Sequence, residues 1–204
     1  MKTLPITLEE FGFVEREKFK GKTVKNRCGR DFLYYGLHYY LPQKFNDQEL
    51  TPQGVENRGF FGFKLPSWLM GTMLQFVRIP KYLKQHSLGL FINTQKINSF
   101  KDFVVSILFS RLSFSDAVFK VEEAINEGRV VGVDIGLKYG GLLDHVMFVY
   151  GYDVDAFYVC DTHQVPMLEY VKISEGNKYF MKLSKKIVEK RWTRFGRVWE
   201  LKKI

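Results

Sequence analysis

The stretch DHVMFVYGYDVDAFYVCD, residues 144–161, decides how the rest of the chain is read. His145 to Asp153 and Ala156 to Asp161 are rich in Val, Phe and Tyr, residues that fill strands, and the acids at 153 and 155 mark a turn between them. PMLEYVKI, 166–173, follows closely as a third strand. Strands joined by links this short pair antiparallel, so the region predicts a meander. Just upstream, VVGVDI (130–135) is another buried strand. Before it, Ser115 is placed to cap a helix that carries Val118, Val121, Ala124 and Ile125 on one face and stops at Gly128. Downstream, Leu183, Ile187 and Trp192 keep a helical period over 182–192, and RVWELKK (197–203) reads as a strand.

Working outward to the first half, Phe32, Leu33, Gly36, Leu37 and Tyr40 recur at helical spacing. That predicts a helix starting at or just after Cys28 and ended by Pro42. Residues 43–80, rich in Gly, Pro, Asn and aromatics, read as loops forming a lid or crossover. SLGLFI (87–92) is a short strand. NSFKDFVVSILFS (98–110) opens with Asn98 or Ser99 as a cap and continues as a helix. Helices first and a sheet afterwards predict an α+β plan rather than alternating βαβ units. The 204 residues fit one domain, with a helical and loop half at 1–110 and a sheet-rich half at 111–204.

Composition narrows the class. Apolar residues make up 46% and aromatics 16%, enough for a packed core and too much for a disordered chain. Two cysteines do not make a disulfide framework, so a reducing, cytoplasmic setting is expected. MKTLPITLEEFGF lacks the apolar run of a signal peptide. The most apolar stretch, 65–80, is bracketed by Pro66 and Pro80 and falls short of the ~20 residues that span a bilayer. The net charge of +9 is concentrated. Lys172 to Ile204 holds eleven Lys or Arg against three Glu, while the remainder holds twenty against nineteen. This reads as a basic C-terminal tail on a near-neutral body, suited to an acidic partner. Trp192, Phe195 and Trp199 stand among those cations, but their spacing fits a core, so nucleic acid is not the expected partner.

Three residues carry the chemistry. A cysteine nucleophile works as the thiolate, which a helix N-terminus favours, and Cys28 stands at one. Gly29 leaves the approach to the sulfur uncrowded. A base and a group to orient it are also required. His145 lies 117 residues on, and Asp161 follows 16 later on the neighbouring strand. If the Cys28 helix packs on that sheet, the three side chains meet. Each residue also has an ordinary reading: Cys28 as a small core residue, His145 as the end of a strand, Asp161 as a turn acid. Cys160, next to Asp161, alternates away and reads as core. Cys28, Cys160, His145 and His163 lack the close-paired spacing of a zinc site, and no Gly-rich phosphate loop is present, so neither metal nor cofactor is expected.

NRCGRDFLYYGLHYY (26–40) resembles the start of the active-site helix in papain-like bacterial cysteine peptidases, especially those that remove double-glycine leaders from bacteriocins. DHVMFVYGYDVDAFYVCD resembles their histidine block. LTPQGVENRGFFGFKLP (50–66), VEEAINEGRVVGVDI (121–135) and the histidine block together are similar to the N-terminal domain of butirosin-type biosynthetic acyltransferases. The likeness runs from about Val24 to Asp161. It implies a papain-like fold in which an N-terminal active-site helix packs on an antiparallel sheet. It implies Cys28 as nucleophile, His145 as general base and then acid, and Asp161 as its orienting partner. The leader peptidases carry a glutamine six residues before the nucleophile as an oxyanion donor; here that position is Lys22, which leaves Asn26 and the Cys28 N–H for the role. The implied substrates are a peptide or an acyl thioester, the latter delivered by an acidic carrier protein docking on 172–204. Three functions stay open: a thiol peptidase or amidase, an acyltransferase to an amine, and a non-catalytic binding module on the same fold.

Overall fold

The computed structural model describes residues 1–6, 28–42, 83–138, 143–161, 165, 168–173, 179–192 and 196–204. Its strands are β1 (Lys2–Thr3), β2 (Leu88–Ile92), β3 (Gln95–Ile97), β4 (Val130–Lys138), β5 (Leu143–Tyr152), β6 (Ala156–Cys160), β7 (Val171–Lys172), β8 (Phe180–Ser184) and β9 (Arg197–Lys203). Its helices are α1 (Cys28–Tyr40), α2 (Phe100–Phe109), α3 (Phe114–Asn126) and α4 (Lys185–Arg191). One sheet runs β3-β2-β9-β4-β5-β6-β8-β7, and β1 pairs with β5. Every pairing is antiparallel. The architecture is thus α+β, and no helix among the described residues is long and apolar enough to cross a membrane.

The register sorts side chains into two faces, because direct partners point the same way and successive residues alternate. Gly132 pairs with Phe148 and Trp199, and Phe148 with Cys160. This face receives α1 and α2: Phe32 and Phe103 both meet the Trp199 ring edge-on, and Tyr35 stacks on Phe148. Val131, Val133 and Ile135 alternate to the other face, along with Val149 and Phe157. Lys185, at the start of α4, sits over the Phe157 ring and bonds Glu122 of α3 at 2.8 Å.

α1 approaches the sheet closely because two glycines allow it. A Cβ on Gly36 would come within 2.6 Å of Leu201, and one on Gly132 within 2.7 Å of Phe32. These contacts also fix its direction. Gly36 lies at the level of Val130 and Phe32 at that of Gly132, so four helical residues (about 6 Å) match two strand residues. Four residues further back, Cys28 falls at the rung of Asp134, which pairs with Val146 next to His145.

Several expectations are corrected. β1, β2 and β3 belong to the same sheet as the later strands, so the division at residue 110 does not separate helices from sheet. α3 starts at Phe114, with Ser113 as its cap: the Ser113 Oγ accepts the Asp116 N–H at 3.1 Å. Among the described residues of PMLEYVKI the strand is Val171–Lys172, and β6 pairs with β8. Leu183 lies in β8, and the helix covers Lys185–Arg191 rather than 182–192. In β8 Met181 and Leu183 are buried while Lys182 and Ser184 are half-buried, an alternation only four residues long that runs directly into α4 at Lys185. The basic segment is no appended tail. β9 lies between β2 and β4, and Arg197 is buried with Asp134 at 3.0 Å. Lys182 pairs with Asp153 and Lys185 with Glu122.

Candidate functional site

His145 and Asp161 come together through strand register. His145 lies near the start of β5 and Asp161 directly follows β6, beyond the Phe148–Cys160 pair, so the pairing of the two strands brings both to the same end of the sheet. The His145 Nε2 is 2.7 Å from the Asp161 Oδ2, and both residues are buried, at 2% and 3% exposure. A carboxylate only accepts, so Nε2 carries the hydrogen and donates it. That leaves Nδ1 for the other partner of the ring, the Cys28 thiol, which is in hydrogen-bonding contact with the imidazole. Cys28 is the first residue of α1 and is half-buried, while Gly29 behind it is buried. Three side chains from a helix start, a strand start and a strand end therefore form one chain of contacts: thiol, imidazole, carboxylate.

Electrostatics of the group follow from its burial and its pairing. Burial alone lowers the His145 pKa. The Asp161 charge and hydrogen bond, with the Cys28 thiol adding, outweigh it and hold the imidazole well above the usual histidine range. The second cysteine is of another kind. Cys160 is buried on the α1 face, where it meets the Tyr35 hydroxyl, and burial pushes its thiol far up. It stays protonated and packs as core.

The sequence reading did not include Tyr170. Its hydroxyl donates to the Asp161 Oδ2 and lies 3.5 Å from the Met147 Sδ. The reading of 166–173 as an ordinary strand hid it: among the described residues there only Val171 and Lys172 are in a strand, and Tyr170 just before them meets the site. Asn26 and Lys22 lie outside the described residues, as do His163 and the 43–80 segment. His38 is ten residues along α1 from Cys28, about 15 Å by helical rise, and does not join the group. Among the described residues no group of three His, Cys, Asp or Glu side chains is arranged to hold a metal ion. Compared with family models, with curated proteins and with solved structures, the chain finds no match in any of the three.

Proposed function

We propose that the protein is a thiol acyl-transfer enzyme of papain-like plan, a peptidase or amidase, acting through Cys28, His145 and Asp161. The observation that carries this reading is the contact chain itself: a thiol at a helix N-terminus touches an imidazole whose far nitrogen is 2.7 Å from a buried carboxylate. Cys28 gives its proton to His145 and attacks a carbonyl carbon. The developing oxyanion meets the first N–H groups of α1, which have no partner within the helix, with Asn26 as a further donor. The imidazolium returns its proton to the leaving amine or thiol, and the acyl group stays on sulfur. His145 then takes a proton from water, which attacks the acyl carbon and frees Cys28. Asp161 keeps the imidazole turned and balances its charge throughout. A free catalytic thiol suits a reducing compartment such as the cytoplasm.

A second reading replaces the water with an amine and the substrate with a carrier-protein thioester. It is favoured by the lysines of the basic segment that remain exposed once Lys182, Lys185 and Arg197 are paired: Lys172, Lys186, Lys190 and Lys203. An acidic carrier docking there would bind more weakly as salt rises.

Intact-mass spectrometry after incubation with acyl-carrier thioesters and, separately, with peptides tests both. The expected result is an acyl adduct present in the wild type and absent from Cys28→Ala. Iodoacetamide is expected to label Cys28 and spare Cys160 in the folded chain, and to label Cys28 more slowly in His145→Ala. No adduct from either substrate class, with equal labelling rates in the two proteins, would leave a binding module.

A further inference from the structure

Beyond Asp161 the chain comes back over the site in the segment Leu168–Ile173. Leu168 is fully buried, and the next residue, Glu169, is exposed and takes a φ of 48°. That left-handed backbone is costly for a residue with a side chain and persists only where surrounding contacts impose it. Its effect is to let Leu168 and Tyr170 both engage the body of the protein. The Tyr170 phenol then donates to the same carboxylate oxygen, Oδ2 of Asp161, that accepts the His145 Nε2–H. The same hydroxyl lies 3.5 Å from the Met147 sulfur, so the tip of Tyr170 is held between that sulfur and the carboxylate.

We propose that Tyr170 is a positioning residue: it anchors Asp161, which in turn holds the His145 ring with Nδ1 toward Cys28. The proposal deepens the acyl-transfer reading and rests on it for its use. The titratable groups around the pair are few among the described residues. Cys28 reaches His145 from α1. Asp161 faces His145 and Tyr170, and acts at longer range on Tyr35 of α1 and on Cys160 of β6. A phenol O–H on Oδ2 draws off part of the carboxylate charge that would otherwise act on the imidazolium. Removing that O–H strengthens the pull on His145.

The test is Tyr170→Phe in the full chain, which deletes one oxygen and keeps the ring. NMR titration of the His145 imidazole, assigned by its loss in His145→Gln, is expected to show the midpoint moving to higher pH than in the wild type. An unchanged or lowered midpoint overturns the proposal. A second measurement needs no altered fold: the wild type should show a slowly exchanging downfield hydroxyl proton, lost in Tyr170→Phe and in Asp161→Asn. Its absence from the wild type also overturns the proposal. Neither readout uses turnover. A shifted midpoint without a Cys28 adduct would leave the Tyr170 assignment standing and remove the enzyme, and an adduct with an unmoved midpoint would do the reverse.

Discussion

At the residue scale, the two cysteines show how position rather than identity sets chemistry. Cys28 and Cys160 are both free thiols. One begins a helix beside an imidazole; the other is sealed in the core against Tyr35, with its proton held by burial. The buried His145–Asp161 pair also links the site to stability. The folded-state pKa of His145 is raised well above 6.5, by Asp161 first among the raising influences and against the opposing effect of burial. A raised pKa means the folded state holds the proton more tightly than the unfolded chain does. The pair's contribution is therefore complete below the unfolded value near 6.5 and declines as pH climbs through the folded value. Urea midpoints of the wild type and of His145→Gln, measured across neutral to alkaline pH, should differ most at the acid end of that window and converge above it. A gap that widens with rising pH would contradict the assignment of the proton to His145.

At the element scale, the site depends on how closely α1 lies on the sheet. The Gly132 position admits nothing larger: a Cβ there would be 2.7 Å from Phe32 and 2.8 Å from the Met147 carbonyl oxygen, and the latter is backbone and cannot rotate away. Gly132→Ala should cost about 1–3 kcal/mol by overpacking. That lowers Tm by roughly 2–4 °C per kcal/mol in a chain of this size. It should also lift Phe32 and the start of α1 with it, slowing iodoacetamide labelling of Cys28 toward the His145→Ala rate. Gly89→Ala is the control, since its Cβ would meet only side-chain atoms of Ile204 and Phe91, and it should cost less and leave Cys28 unchanged. Equal losses in the two variants would refute the close-approach argument. Helices with apolar residues at a steady helical spacing and strands built from long runs of Val, Ile, Phe and Tyr were legible in the sequence: α1, α2, β2, β4, β5, β6 and β9 fall close to where those patterns put them. What escaped has a physical cause in each case. β3 is three residues long and its turn is made by Asn93 and Thr94 at positive φ, with no glycine to signal it. The Asn93 side chain bonds the Val198 N–H and the Ser110 carbonyl, which a local pattern does not reveal. β8 runs without a break into α4 at Lys185, and its Leu183 stands four residues before Ile187, so the two elements read as one helical period. The contacts among Cys28, His145 and Asp161 were inferred because strand pairing constrains two of them. Tyr170 was not, because its place depends on a single backbone reversal at Glu169.

At the scale of the whole molecule, chain order and spatial order diverge most at β9. This C-terminal strand is bonded to β2 on one side and to β4 on the other, so it joins the early hairpin of β2 and β3 to the meander that bears His145 and Asp161. It also brings Val198, Trp199 and Leu201 into the core, and it sets Arg197 opposite Asp134 in register. The Asp134 carboxylate accepts from the Trp199 indole N–H at 3.2 Å as well as from Arg197. Losing one member of a buried ion pair typically costs about 3–5 kcal/mol, because the other charge is left in a dry site. A chain ended at Trp192 loses Arg197, Trp199 and two strand pairings together. That combined loss approaches or exceeds the whole stability of a typical domain, about 5–15 kcal/mol. Such a chain should therefore show no cooperative urea transition and no near-UV circular dichroism, and its Cys28 and Cys160 should label with iodoacetamide at similar rates. Retention of a cooperative transition, merely shifted to lower urea, would mean that β9 is a dispensable addition and that β4 to β8 with α1 form a self-sufficient core. The contrast matters for function. If β9 is required, Arg197 and Lys202 are held by their partners Asp134 and Glu200, and the docking surface proposed for an acidic carrier reduces to the exposed Lys172, Lys186, Lys190 and Lys203, whose charge reversal should leave folding intact while weakening carrier-thioester transfer.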